Sequence, residues 1–248
     1  MYHALPGNNM RHIDYLKLFL PVAASLLLCS CTMPIGDSLT AGKKIDSRNL
    51  KVLSFGNSIA GAPSDPWDWE KGHGFAASTP EKDYIHLLYD SLAKALNYEP
   101  QLVSVNAGYW ERHFSSFDLT EWKAFREYHA DLILIRAGDN IQGDIAVSDY
   151  LWKYFDQLLD YVAPDENQVV LSTGSWYPNR TVNTILKTVC EQKNISFIDI
   201  APLYYDKSNQ ANSERYFEDK VSGAHPGDKG MAMIAAKLWK VIAPLLSE

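Results

Sequence analysis

Four short stretches hold the residues whose types and spacing could do chemistry. Ser58 comes first, inside KVLSFGNSIA from Lys51 to Ala60. Val52, Leu53 and Phe55 form an apolar run without a breaker, which reads as a buried central strand. Gly56 and Asn57 end that run, because both tolerate backbone conformations that a β-branched residue does not. The Ser58 hydroxyl therefore falls at the carboxyl end of a buried strand, the edge where open α/β sheets bind ligands. The other stretches are Asn106-Ala107-Gly108, Gly138-Asp139-Asn140, and Gly223-Ala224-His225-Pro226-Gly227-Asp228. A serine hydroxyl is a weak nucleophile that needs an adjacent base. An imidazole, with an unperturbed pKa of about 6.5, can take and return a proton near neutral pH. Each residue also has a plainer reading: Ser58 as a helix cap, Gly108 and Asn140 as turn residues, and His225 as a residue that precedes a helix.

The elements that would position these residues alternate along the chain. After the strand at Lys51, strands are expected at Leu102–Val105, Leu132–Arg136, Val169–Ser172 and Ser196–Ile200. Helices are expected at Glu81–Leu96, Leu119–Tyr128, Val147–Val162, Thr181–Gln192 and Asp228–Leu245. The helix from Glu81 has Pro80 at its start and a stripe of Ile85, Leu88, Leu92 and Leu96. Strict alternation implies parallel strands joined by right-handed crossovers, hence a three-layer α/β/α sandwich around a five-stranded parallel sheet. In such a sheet the strand ends converge on one edge, and all four stretches stand at strand ends or before the last helix. The segment from Gly61 to Pro80 is a loop long enough to expect a functional role. Its Gly72-to-Ala77 run fits G-x-G-x-x-A but does not directly follow a strand, so a dinucleotide site is not expected.

Composition limits the partners. The chain has 248 residues, 46% of them hydrophobic, enough for one domain with a sizeable core. The formal net charge of −7, with no basic cluster, argues against nucleic acid. Cys29, Cys31 and Cys190 show no metal-ligand spacing and no disulfide framework, and no cofactor or metal is expected. Residues 1–30 read as a targeting segment: Arg11 and Lys17 precede an apolar run from Leu18 to Cys29, too short for a comfortable membrane span. Leu28-Cys29-Ser30-Cys31 resembles a bacterial lipobox, which implies a lipid anchor at Cys31 and an extracytoplasmic, membrane-attached protein. A plain secretory signal or a signal anchor is the alternative. Residues 31–49 read as a polar tether and 50–248 as the domain. The tether contains Gly36-Asp37-Ser38-Leu39, which no core strand precedes, so Ser38 is read as tether.

Taken together and in order, the four stretches resemble the SGNH hydrolases, also called the GDSL esterase/lipase family. The resemblance runs from Lys51 to about Leu245. Its blocks are Gly56-Asn57-Ser58 (the variant with Asn in place of the usual Asp), Asn106-Ala107-Gly108, Gly138-Asp139-Asn140 and His225-Pro226. The resemblance implies the flavodoxin-like SGNH fold and a carboxylic ester hydrolase. In it Ser58 is the nucleophile and His225 its base. The Ser58 and Gly108 N–H groups and the Asn140 side chain would form the oxyanion hole.

One position departs from the family pattern. The family usually has Asp three residues before the His, and here that residue is Ser222. Either a Ser–His dyad operates, with a backbone carbonyl orienting His225, or Glu218, Asp219 or Asp228 supplies a carboxylate. Rival enzyme classes fit less well. An α/β-hydrolase needs G-x-S-x-G, and Ala60 occupies the last position. His73, His86, His113 and His129 show no metal-ligand pairing. Trp67, Trp69, Trp110 and Trp176, expected near strand ends, suggest a carbohydrate O-acyl ester, with O-acetyl groups foremost. The alternatives are a catalytically impaired glycan-binding lipoprotein and a lipase or thioesterase of the same family.

Overall fold

A computed structural model describes residues 43–61 and 65–247. The targeting segment, Cys31 and Ser38 lie outside the described residues. The central strands are β1 (Lys51–Gly56), β2 (Gln101–Asn106), β3 (Leu132–Arg136), β4 (Val169–Thr173) and β5 (Ser196–Ile198). They form one sheet in the order β2-β1-β3-β4-β5, every neighbouring pair parallel. Among the described residues the helices are α1 (Tyr84–Leu96), α2 (Gly108–His113), α3 (Lys123–Arg126), α4 (Gly143–Ser148), α5 (Leu151–Val162), α6 (Arg180–Gln192), α7 (Ala201–Tyr205), α8 (Lys220–Gly223) and α9 (Asp228–Ile242).

The side chains of each strand point alternately to two apolar layers. Val52, Leu132, Leu134 and Leu171 pack with Ile85, Leu88 and Leu92 of α1 and Met231, Ile234 and Leu238 of α9. Leu53, Phe55, Ile133, Ile135 and Val170 pack on the other side with Trp110 of α2, Phe155 and Leu158 of α5, and Val182 and Leu186 of α6. This is the expected three-layer sandwich. β1 and β3 are buried at nearly every position, as central parallel strands must be.

Several expected elements are interrupted. The helix expected at 147–162 breaks at Tyr150, whose φ of 58° is left-handed, so α4 and α5 are separate. The helix expected at 119–128 is a 3₁₀ turn at Leu119–Trp122 followed by α3, with Asp118 capping the Thr120 N–H. β5 stops at Ile198 because Asp199 turns to accept from the Ala201 N–H at 3.0 Å, opening α7. Residues 43–49, expected as the end of the tether, lie against the body. Ile45 is 1% exposed and forms a parallel bridge with Leu246.

Candidate active site

Ser58 sits two residues past the end of β1. Its position follows from a tight turn: the Ala60 and Gly61 N–H groups donate to the Asn57 carbonyl, and the Asn57 side chain accepts from the Ile59 N–H. Gly56 is required there, since a Cβ would come within 2.3 Å of the Ala60 Cβ. Asn57 is fully buried while Ser58 is exposed, so the turn presents the hydroxyl outward.

His225 reaches the same place from the far end of the chain. It lies between α8 and α9, and its carbonyl accepts from the Ala211 N–H at 2.9 Å. The carboxylate of Glu214 caps α9 by accepting from the Asp228 and Lys229 N–H groups. The Trp176 indole donates to the Ala224 carbonyl at 2.9 Å and holds the turn from behind. Ser58 Oγ and His225 Nε2 are 3.4 Å apart. That is longer than a tight hydrogen bond, as is common before substrate binds.

Among the described residues no carboxylate hydrogen-bonds to His225. Its Nδ1 faces the Val221 carbonyl at 3.0 Å and the Tyr177 hydroxyl at 2.8 Å, and that hydroxyl also reaches the Val221 carbonyl at 3.3 Å. A carbonyl only accepts, so Nδ1 carries the proton and Nε2 is left bare toward Ser58. Asp219 is engaged elsewhere: it accepts from the Val221 and Ser222 N–H groups and the Ser222 hydroxyl, capping α8. Asp228 accepts from Ser78 and Lys82, and Glu218 is exposed. Burial holds the His225 pKa below the usual 6.5, against the Val221 carbonyl, which favours the charged form. The imidazole is thus neutral at neutral pH.

Ser58, Asn140 and His225 line one open cleft of about 450 Å³ with Phe75, Asp139, Tyr177, Val221 and Ser222. The Phe75 ring lies 5.1 Å from the imidazole, on a loop tied down by bonds from the Phe75 N–H to the Ser58 carbonyl and from the Gly74 N–H to buried Asp83. Gly108 is outside this lining. It is buried, and its N–H donates to Asn106 Oδ1 at 2.9 Å.

Beneath the cleft lies a buried polar cluster. Arg136 pairs with Asp139 at 2.5 Å and donates to Asn57 Oδ1 at 2.7 Å. Asp139 also accepts from the Trp176 and Tyr177 N–H groups at 2.7 and 3.2 Å, so it fixes the segment that carries the Tyr177 hydroxyl. Glu111 accepts from Asn57, the Gly138 N–H and the Asn140 side chain. Sequence reasoning missed Tyr177, Arg136 and Glu111. Ser175-Trp176-Tyr177, just past β4, was the one available signal for Tyr177.

The tryptophans do not line the cleft as expected. Trp69, Trp110 and Trp176 are buried and serve packing. Trp67 is 52% exposed but lies against Phe125 and Tyr128. The aromatic side chains at the cleft are instead Phe75 and Tyr177.

Solved structures share this architecture. A two-domain esterase described as active on acetylated mannans matches over 79% of this chain and 50% of its own, with 14% identity and a TM-score of 0.53. The chain thus spans about half of that protein. A GDSL-like lipase from Parabacteroides merdae matches over 81% of this chain and 99% of its own, with 14% identity and a TM-score of 0.53. The acetyl xylan esterase AlAXEase matches over 78% of this chain and 100% of its own, with 18% identity and a TM-score of 0.50. No family model and no curated protein matches the chain. The chain has the fold of the SGNH, or GDSL-type, hydrolases.

Proposed function

We propose that this chain is a serine esterase of the SGNH type that removes O-acyl groups, acetyl foremost, from carbohydrates. The observation that carries the reading is the Ser58–His225 pair, 3.4 Å apart, with the imidazole tautomer fixed by the Val221 carbonyl. In the proposed reaction His225 Nε2 takes the Ser58 proton as Oγ attacks the ester carbonyl carbon. The tetrahedral intermediate carries an oxyanion, for which the Ser58 N–H and the Asn140 side chain are the donors at hand. Gly108, given the same role by the family resemblance, joins them only if Asn106 releases its N–H. Collapse expels the alcohol, which takes the proton from His225. Water then attacks the acyl-enzyme by the same base catalysis and releases the acid.

The carbohydrate ester is supported by analogy with two of the matching structures, one described as active on acetylated mannans and one as an acetyl xylan esterase. We also propose that the protein is lipidated at Cys31 and held outside the cytoplasm, supported by Leu28-Cys29-Ser30-Cys31 after an apolar run. The test is hydrolysis of p-nitrophenyl acetate by the full chain in detergent, beside Ser58→Ala, followed by acetate release from acetylated mannan and xylan. Activity lost in the variant is expected. Equal activity in both proteins, or none in the parent, would overturn the esterase reading and favour an inactive glycan-binding protein. Cleavage of long-chain esters without acetate release from any acetylated polysaccharide would overturn the substrate class.

A further inference from the structure

Glu111 is buried beneath the cleft, and the scheme above gives it no part. It is 1% exposed. Every hydrogen-bond partner it has among the described residues is a donor: Asn57 Nδ2 at 3.1 Å from both its oxygens, the Gly138 N–H at 2.6 Å, and Asn140 Nδ2. The neighbouring cation makes its hydrogen bonds elsewhere, since Arg136 donates to Asp139 and to the Asn57 side-chain Oδ1. A buried carboxylate without a cation hydrogen-bonded to it weighs against folding, and apolar replacements of buried charges are often neutral or stabilising. Stability alone gives no reason for this residue.

Its geometry does. We propose that Glu111 is the positioning residue of the oxyanion site, holding the Asn140 carboxamide so that its second N–H faces the cleft beside Ser58. This rests on the esterase reading above. Burial and the Asp139 charge push the Glu111 carboxyl above its ordinary pKa, while the Asn140 and Gly138 donors and Arg136 favour its charged form. In that form it only accepts, and the NH₂ end of Asn140 is the end turned toward it. One of its two N–H groups is thereby fixed, and the other belongs to a side chain that lines the cleft with Ser58 and His225. The same carboxylate grips the Gly138 N–H, at a glycine whose φ of 121° sets the turn leading to Asn140. It also grips Asn57, the residue before the nucleophile. Glu111 therefore ties the nucleophile's turn to the donor's turn. The Gly108 N–H is bonded to Asn106, so Asn140 carries a larger share of the oxyanion than it would with a third donor free.

The test is a double-mutant cycle on the full chain with p-nitrophenyl acetate. Glu111→Gln keeps the side-chain shape but turns an N–H toward groups that are all donors. Acting through Asn140, it should lower kcat by roughly 10- to 100-fold, part of what losing a whole oxyanion donor costs. KM should move less than about two-fold, because the interaction serves the transition state. In an Asn140→Ala background the same substitution should change kcat by less than about two-fold. A merely structural role predicts the same fold-loss in both backgrounds. That result, or an unchanged kcat in Glu111→Gln, would refute the proposal. If Glu111→Gln does not fold, the parent still decides by NMR of the Asn140 side-chain amide, assigned by its absence in Asn140→Ala. One proton should exchange slowly with solvent and the other fast, and two fast-exchanging protons would refute the proposal. An inactive parent would instead overturn the esterase reading, and with it the catalytic meaning of the contact, while the amide spectrum still reports whether Glu111 holds Asn140.

Discussion

Replacing Tyr177 by Phe deletes one hydroxyl, the one 2.8 Å from His225 Nδ1, and leaves the Val221 carbonyl at 3.0 Å to hold the same proton. A neutral hydrogen bond is worth about 0.5–1.5 kcal/mol net. At about 1.4 kcal/mol per tenfold, kcat/KM should fall roughly 2- to 12-fold. Asp219→Asn should change it less than about two-fold, because Asn caps a helix as well as Asp does and Asp219 bonds the α8 turn and not the imidazole. Neutralising the carboxylate of a serine-protease triad costs about 10⁴ in rate, so the alternatives are separated by orders of magnitude. The assay is kcat/KM for p-nitrophenyl acetate with a melting curve for each variant. A loss of roughly 10³-fold or more in Asp219→Asn at unchanged melting temperature would mean that a carboxylate orients His225. A loss of that size in Tyr177→Phe would mean that the carbonyl alone does not fix the tautomer.

The acid limb of kcat/KM should have its midpoint below 6.5, since burial lowers the His225 pKa and the neutral imidazole is the working base. Activity then rises as pH climbs through that value and is flat at neutral pH. A midpoint above 6.5 in a pH–rate profile would reveal an anionic partner. Arg136→Leu leaves Asp139 buried without its paired cation, at about 3–5 kcal/mol, which should lower the melting temperature by roughly 6–20 °C. An unchanged melting curve would refute the pairing. Gly56→Ala forces a Cβ to within 2.3 Å of the Ala60 Cβ, and overpacking of about 1–3 kcal/mol should lower both melting temperature and kcat, measured on the same preparation.

The meeting of Ser58 and His225 at one sheet edge was legible because local pattern marks strand ends and helix starts, and the fold brings those two points together. The five strands were legible for the same reason: buried parallel strands are continuous apolar runs. The orienting groups were not. Val221 acts through its backbone carbonyl, which carries no side-chain signature. Arg136 ends an apolar strand and looks like its solvent-facing terminus, yet it is buried against Asn57, 79 residues away in sequence. Glu111 lies in a polar stretch, Glu111-Arg112-His113, that reads as the exposed face of a helix. The tryptophans misled because composition reports how many there are and not which way they point. Tyr150 broke an apolar periodicity that continued across it, since a single left-handed residue leaves the pattern of hydrophobic spacing intact.

The strand that leads to Ser58 comes before the other four in sequence but is interior to the sheet, with later strands on both sides. Asn57 takes its partners from 54, 79 and 82 residues further on, and Ser58 meets His225 after 167. Contacts of such separation form slowly, because the intervening chain must be closed before they gain anything. A chain emerging from the ribosome would therefore carry an exposed serine with no base until the last helix docked on α1. On the esterase reading proposed above, activity would arrive only when the body is complete, and a stalled or clipped chain would be silent.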